Sequence, residues 1–424
     1  MLKNKYLIEN NGPLSGEVEI GGAKNSVLAL IAASVMCDDV VVLENVPNVS
    51  DVQNLLNAMK YLGSKIDFNT TTHTLILDNK NIDYSLTLNI EFIQKIRASY
   101  YLLGALLGKY KEANVSLPGG CNIGSRPMDL HLKSFEKLGA TIKLKEGNIC
   151  AKASKLKGST IYLDFASVGA TINVMLAAVF AEGTTTILNA AKEPHVIDVA
   201  MFLNKMGARV RNAGTGKIII NGVKKLHTTT HETIPDQIEA GTFLLAGAIT
   251  NGNVTIKNVI PKHMDCITFK LKEMGCLIKE DVSSINITTP SQNFKFNPVR
   301  ITTNPYPGFP TDMQPQFAIA LGLAQGTSII NETIFENRFL YTDEMTRMGA
   351  DMYVYRSLNI INGVDCYQGT KINTPDLRAG AALTLAGLAA KDKTILDNIH
   401  YIQRGYENFD EKLNNLGANI KIID

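Results

Sequence analysis

Met206-Gly207-Ala208 closes the third of six copies of one pattern. The same signature, Leu or Met, then Gly, then a small residue, stands at Leu62-Gly63-Ser64, Leu138-Gly139-Ala140, Met274-Gly275-Cys276, Met348-Gly349-Ala350 and Leu416-Gly417-Ala418. Its glycines follow one another at 76, 68, 68, 74 and 68 residues. Glycine is favoured just past a helix C-terminus because it enters the left-handed region without a Cβ penalty. Each copy therefore predicts the end of a helix, and a period near 70 residues predicts a repeat architecture.

The same elements precede every copy. An alanine- and leucine-rich helix comes first, at 26–36, 98–107, 171–181, 241–248, 316–324 and 379–390. A short β-branched strand follows, as at 184–188 or 253–256, then a polar loop and an amphipathic helix that ends at the signature. Further strands, such as 141–144, complete a unit of the βαβαββ type. The first helix is apolar nearly all round and is expected inside, while the second keeps a charged face for solvent. The fold class this predicts is α/β, with two domains of three repeated units each. The lysine- and threonine-rich stretch 224–233 has the composition of a linker, and 3–20 precede the first repeat and are free to donate a strand to the C-terminal domain. The expected domains are 23–231, carrying the loop around Cys121, and 1–22 together with 232–424.

The chain has 424 residues, 45% of them hydrophobic, which is enough for two or three domains. A net charge of +2 gives no argument for a nucleic acid or a membrane surface as partner. Six cysteines, Cys37, Cys121, Cys150, Cys266, Cys276 and Cys366, are scattered without a CxxC pair, the usage of a reducing compartment. No apolar run approaches ~18 residues and no apolar segment follows the N-terminal Met-Leu-Lys, so a cytoplasmic location is expected. Lysine outnumbers arginine 32 to 10. Where lysine is the default cation, each arginine invites a reason, because its planar fork grips carboxylates and phosphates in two-point fashion.

Aligning the repeats sorts the unusual polar residues into two places. One is the start of the inner helix, with Lys24-Asn25, Arg97, Ser167-Val168-Gly169, Asp236, Asp312 and Asp376-Leu377-Arg378. The other is the loop before the second helix, with the Cys121-to-Arg126 turn, Lys192-Glu193, Lys262-His263, Glu336-Asn337-Arg338 and Gln403-Arg404-Gly405. Helix N-termini expose unpaired N–H groups and attract anions, so this arrangement suits a polyanionic ligand. Taken singly, Asp236, Asp312 and Ser167 read as helix caps, and His131, on a charged second helix, reads as exposed or a minor contact. The loop Leu117-Pro118-Gly119-Gly120-Cys121-Asn122-Ile123-Gly124-Ser125-Arg126-Pro127 stands out for three glycines and a cysteine five residues before an arginine. A nearby cation favours the thiolate, which makes Cys121 a candidate reactive thiol on a permissive backbone.

Other chemistries are set aside. Gly214-Thr215-Gly216-Lys217 lacks the GxxxxGK[ST] spacing of a phosphate loop and is followed by Ile218. No histidine or cysteine pair has metal-ligand spacing, and no GxSxG elbow is present. Neither a metal nor another cofactor is expected.

Together these stretches resemble the enolpyruvyl transferases. The resemblance rests on Gly21-Gly22-Ala23-Lys24-Asn25, the loop 117–127, Asp129-Leu130-His131, Ser167-Val168-Gly169-Ala170, Phe309-Pro310-Thr311-Asp312-Met313-Gln314, Phe335-Glu336-Asn337-Arg338-Phe339, Asp376-Leu377-Arg378 and Arg404-Gly405-Tyr406-Glu407, in order along the chain. The family fold it implies is a pair of inside-out α/β domains with ligands bound in the cleft between them. The activity it implies is transfer of the enolpyruvyl group of phosphoenolpyruvate to the 3-hydroxyl of UDP-N-acetylglucosamine with release of phosphate, the first committed step of peptidoglycan synthesis, with no obligate protein partner. By the same resemblance Lys24, Arg126 and Arg404 hold the phosphate of phosphoenolpyruvate, with Asn25 beside them, and Arg338 and Arg378 hold its carboxylate. The nucleotide-sugar contacts are Asn25, Arg97, Arg126, Pro127, Met128, Asp129, Leu130, His131, Ser167, Val168, Gly169, Asp312 and Ile334. Cys121 is implied as proton donor and adduct site, and Asp312 as base for the 3-hydroxyl, with Lys24 and Arg404 completing the catalytic set. Phe165 stands where some relatives carry a lysine that touches the diphosphate, a departure from the family pattern at that phosphate contact. The shikimate-pathway branch of the family shares the arginines and lacks the cysteine loop. A non-catalytic paralogue is disfavoured by the presence of Lys24, Cys121, Asp312 and Arg404.

A reactive Cys121 makes a direct prediction. Fosfomycin, an epoxide, labels Cys121 in the presence of the nucleotide sugar; peptide mass spectrometry that finds the label on another cysteine, or no label, overturns the assignment.

Overall fold

The computed structural model describes residues 5–88, 99–116, 123–124, 128–291 and 293–424. They form two compact units: one of 5–21, 123–124 and 235–424, the other of 22–88, 99–116 and 128–234. The chain passes between them at 21/22 and 234/235. The two described loop residues, Ile123 and Gly124, group with the unit of 235–424, which differs from the expected boundary. The reason is local, since the Ile123 carbonyl accepts the Asn337 N–H at 3.0 Å.

All six signature glycines adopt the left-handed conformation, with φ of 100° at Gly63, 98° at Gly139, 100° at Gly207, 96° at Gly275, 83° at Gly349 and 102° at Gly417. At each, the N–H after the glycine reaches back to the carbonyl five residues earlier: Ser64 to Met59, Ala140 to Phe135, Ala208 to Leu203, Cys276 to Leu271, Ala350 to Met345 and Ala418 to Leu413. This is the Schellman closure, which satisfies carbonyls that a helix end leaves over.

The inner helices run Lys24–Ser34, Tyr100–Tyr110 and Val168–Ala178 in one unit, and Gln237–Ile249, Gln314–Leu321 and Leu377–Ala389 in the other. They are buried on nearly every side, and each set of three lies in its own hydrophobic core. Small residues let them approach: a Cβ on Gly104 would sit 2.3 Å from Asn173 Oδ1, and one on Gly108 2.7 Å from the Leu176 carbonyl oxygen. The second helices end at the signatures and bury only one face, as Ser50–Tyr61 and Pro194–Lys205 do.

Each repeat adds one sheet. In the third, Thr160–Tyr162 runs parallel to Thr184–Leu188, which pairs antiparallel with Lys217–Asn221 and through it with Arg209–Arg211. The other sheets follow the same order, with two exchanges. The strand preceding the first inner helix, Ser15–Glu19, pairs with Asn253–Lys257 of the fourth repeat, whereas Thr229–Glu232, which precedes the fourth inner helix, pairs with Val40–Glu44 of the first. Lys5–Glu9 fills the hairpin position of the sixth repeat, between Thr394–Asp397 and Asn419–Ile423. In the second repeat the parallel edge is marked, among the described residues, by a bridge from Leu88 to Val115.

Just past the central strand, four repeats place an asparagine at positive φ: Asn45, Asn189, Asn258 and Asn398. Asparagine tolerates this region better than other side chains with a Cβ. Three of them donate an amide hydrogen to the neighbouring parallel segment, at Thr233, Leu163 and Ile20.

The helix stops give a stability test within one unit. Gly139→Ala is expected to cost about 1–2 kcal/mol from left-handed strain alone. Gly63→Ala costs more, because its Cβ would also lie 2.5 Å from the Asn81 carbonyl oxygen, against 3.4 Å to the nearest atom at Gly139. Urea unfolding of the two variants measures the difference.

Candidate functional site

In the unit of 235–424 the site residues are gathered by a buried acid. Glu332 follows the central strand of the fifth repeat, where four other repeats have asparagine, and is 3% exposed. Its Oε1 accepts the N–H groups of Ile334 and Phe335 and the Thr303 hydroxyl, and its Oε2 accepts the Thr311 hydroxyl at 2.9 Å. One carboxylate thus shapes the turn that leads to Arg338 and holds the residue before Asp312. With so many donors around it, the buried charge is compensated.

Asp312 lies in the short turn Thr311–Met313 before the helix Gln314–Leu321. The cap positions of this turn and helix fall on Pro310 and Met313, in contrast to the cap reading of Asp312. Instead its Oδ1 lies 2.9 Å from Arg338 Nη2 and its Oδ2 lies 3.2 Å from Arg378 Nη2, with Arg378 Nε at 3.3 Å from the same oxygen. Arg338 also donates from Nε to the Thr311 carbonyl. Both arginines are buried, at 2% and 3% exposure. Arg378 enters on the first turn of Leu377–Ala389, whose cap is Asp376: its Oδ1 accepts the N–H groups of Arg378 and Ala379. The guanidinium lies 5.3 Å from the Tyr406 ring centre, and among the described residues its Nη1 is buried without a hydrogen-bond acceptor. A buried cationic donor left unsatisfied is costly, so this corner has a surplus of donors suited to an incoming anion. Burial raises the Tyr406 phenol above its ordinary range, which keeps its proton on; it hydrogen-bonds Thr242 at 2.9 Å. Arg404 ends the segment Ile399–Arg404 and is half-buried, and Ile334 is half-buried on the turn that Glu332 shapes.

In the unit of 22–234, Lys24 is the first residue of its inner helix and is 8% exposed. Its Nζ lies 3.1 Å from Asp51 Oδ2, and Asp51 is 3% exposed. Asn25 is half-buried beside it. Ser167 caps Val168–Ala178 by accepting the Ala170 N–H at 3.3 Å, and Asp236 caps Gln237–Ile249 in the other unit by accepting from Ile238 and Glu239; for both, the cap reading holds.

His131 differs from its expectation, being 4% exposed rather than on the solvent face. Its helix, Asp129–Lys137, turns His131 inward to Asn173. The Asn173 side-chain oxygen Oδ1 accepts the Gly104 N–H at 2.9 Å, so the Asn173 side-chain nitrogen donates to His131 Nδ1 at 2.9 Å and leaves the ring hydrogen of a neutral imidazole on Nε2. The ring packs edge-on against Tyr100, and Gly169 fits against both: a Cβ there would lie 2.7 Å from the Tyr100 hydroxyl and 3.1 Å from His131 Cε1. Leu130 is buried, Met128 nearly so, and Asp129 pairs with Lys133 at 3.6 Å on the surface. Phe165, at 55% exposure, offers no charge before Ser167 and Val168, both half-buried. Arg97, Cys121, Arg126 and Pro127 lie outside the described residues.

Asp51, Asn173 and Glu332 escaped the sequence reading. Asp51 occupies the loop-to-second-helix place in the first repeat, so a full alignment of the six copies would have exposed it. Glu332 interrupts the asparagine series in the same way. Asn173 lies within an apolar helix and carries no such signal. Among the described residues no group of histidine, cysteine and carboxylate side chains is placed to hold a metal ion, and no helix is long and apolar enough to cross a membrane. The five described cysteines are free thiols; burial pushes Cys266 up to about 11 and Cys276 up to about 12, so both stay protonated at neutral pH.

Residues 8–413 match the family described as EPSP synthase (3-phosphoshikimate 1-carboxyvinyltransferase). The chain is 47% identical over 419 residues to UDP-N-acetylglucosamine 1-carboxyvinyltransferase 1 of Caldanaerobacter subterraneus subsp. tengcongensis, covering 99% of both chains. It is 48% identical to UDP-N-acetylglucosamine 1-carboxyvinyltransferase 2 of Clostridium acetobutylicum, again over 99% of both. Among solved structures it is similar to the enolpyruvyl transferase NikO from Streptomyces tendae, with a TM-score of 0.90, 26% identity and coverage of 99% and 98%. EPSP synthase from Acinetobacter baumannii, at 19% identity and a TM-score of 0.76 over 99% of both chains, shares the fold.

The Asp312 cluster has a thermodynamic signature. Asp312→Asn leaves two buried guanidinium groups facing an uncharged amide and is expected to lower stability by about 1.5–3 kcal/mol, the worth of a hydrogen bond to a charged group; urea unfolding without added anions measures it.

Proposed function

We infer the reaction from one premise: this chain belongs to the enolpyruvyl transferase family. It transfers the enolpyruvyl group of phosphoenolpyruvate to the 3-hydroxyl of UDP-N-acetylglucosamine and releases phosphate, the step that commits the sugar to peptidoglycan. The observation that carries this reading is the pair of buried arginines sharing one carboxylate, with a spare donor on Arg378, in a chain nearly half identical along its whole length to transferases named for that nucleotide sugar. Both substrates are small cytoplasmic anions, and the enzyme acts on them there.

The substrate carboxylate competes with Asp312 for the forks of Arg338 and Arg378, a two-point match of planar charge. Asp312, relieved of its arginines, then takes the proton of the sugar 3-hydroxyl. Cys121 delivers its thiol proton to C3 of phosphoenolpyruvate, C2 becomes electrophilic, and the sugar oxygen bonds to it, giving a tetrahedral ketal. The C2–O bond to phosphate then breaks as C3 loses a proton back to the Cys121 thiolate. Lys24, Arg126 and Arg404 stabilise the departing phosphate charge, and Asn25 hydrogen-bonds beside it. Arg97, Arg126 to His131, Ser167 to Gly169 and Ile334 hold the nucleotide sugar. The structure of Lys24 bears on this role: its ammonium is already desolvated and held by Asp51, so it has little water to shed when phosphate arrives.

The test is phosphate release that requires both phosphoenolpyruvate and UDP-N-acetylglucosamine. Asp312→Asn should lower kcat by ~10²–10⁴-fold, the range for a lost general base. Turnover with shikimate 3-phosphate as acceptor, or release of phosphate without the nucleotide sugar, overturns the reading.

A further inference from the structure

Lys24 and Asn25 lie in the segment Gly21-Gly22-Ala23-Lys24-Asn25-Ser26, along which the chain leaves one unit and enters the other. A buried carboxylate is fastened to each end of it. At the first end stands Glu239, on the inner helix Gln237–Ile249 and 5% exposed. Its Oε2 accepts the Gly21 N–H at 3.0 Å, and its Oε1 takes Lys412 Nζ at 2.7 Å. At the other end stands Asp198, on Pro194–Lys205 and 2% exposed. Its Oδ2 accepts the Ser26 hydroxyl and, at 3.5 Å, the Ile234 N–H; its Oδ1 meets His231 Nε2 at 2.8 Å. His231 belongs to Thr229–Glu232, the strand from which the chain makes its return passage.

A buried carboxylate costs several kcal/mol unless its lone pairs are filled. Two such groups at the ends of a six-residue segment, neither assigned to a substrate, call for a positional reason. Space around the segment is also tight. A Cβ on Gly22 would lie 1.8 Å from the Asn45 carbonyl oxygen. The Ala23 N–H is bound to the Ile234 carbonyl at 2.7 Å and the Asp236 N–H to the Gly21 carbonyl at 2.9 Å.

We propose that Glu239 and Asp198 are positioning residues that hold Gly21 and Ser26 and so fix the place of Lys24, setting the affinity for phosphoenolpyruvate. The proposal rests on the role given to Lys24 above. Glu239 acts through the backbone of Gly21, with Lys412 balancing its charge; Asp198 acts through Ser26, two residues beyond Lys24 on the same helix turn.

Steady-state kinetics of the full chain test it, with the KM of each substrate measured separately. Glu239→Leu and Ser26→Ala should each raise the KM for phosphoenolpyruvate about tenfold, the worth of a lost hydrogen bond to a charged group, with a several-fold smaller change for UDP-N-acetylglucosamine. Glu239→Gln, whose amide oxygen still accepts the Gly21 N–H, should recover most of the loss. Unchanged KM for phosphoenolpyruvate in the folded variants, equal rises for both substrates, or a Glu239→Gln protein as impaired as Glu239→Leu overturns the proposal. Should Glu239→Leu fail to fold, Ser26→Ala alone decides. An active wild type with unaffected variants overturns the anchors only; an inactive wild type overturns the assigned reaction and the anchors with it.

Discussion

A helix that is apolar on every side has to be enclosed by protein, and most of this architecture follows from that constraint. One such helix cannot hide behind its own amphipathic partner and one small sheet. Three sets, packed together, bury their inner helices at alanine and glycine contacts such as Gly104 against Asn173. The enclosure is completed by strands taken from elsewhere in the chain. Ser15–Glu19 and Thr229–Glu232 each pair away from the helix they precede, and Lys5–Glu9 supplies the hairpin partner that the end of the sixth repeat lacks.

The same constraint says where polar chemistry is permitted. Along the body of an inner helix backbone groups satisfy one another, and a charged side chain there would stay unpaired. Only the first turn has N–H groups to spare and a way out for a side chain. Lys24, Ser167, Asp236, Asp312, Asp376 and Arg378 all stand at or beside such a turn. Some of them close the helix, as Ser167, Asp236 and Asp376 do; Lys24, Asp312 and Arg378 instead enter ion pairs with long-range partners.

Buried carboxylates do the arranging between elements. Glu332 joins the turn before Arg338 to Thr311, Asp312 then joins Arg338 to Arg378, and Asp51 receives Lys24. Each spans two repeats or two elements of one repeat, so each converts a similarity of local sequence into a specific relation in space. Arginine suits the receiving positions, since its charge survives burial and its fork bonds two groups at once.

The sequence by itself determined the period, the helix stops and the type of each element, because these depend on local physics: left-handed glycine at a helix end, alternation in a strand, an apolar circumference on an inner helix. It also marked the arginines and the helix-start residues as a set, since repeats can be compared without knowing how they pack. Tertiary structure alone decided which partner each of these took. Asp312 alone on paper is a cap like Asp236, and only the convergence of Arg338 and Arg378 from 26 and 66 residues away makes it an ion-pair centre. His131 reads as a surface residue on a charged helix until Asn173 draws it inward. Nor does local sequence show that Ser15–Glu19 pairs with Asn253–Lys257 or Thr229–Glu232 with Val40–Glu44, because strand propensity records the need for a neighbour and not its identity.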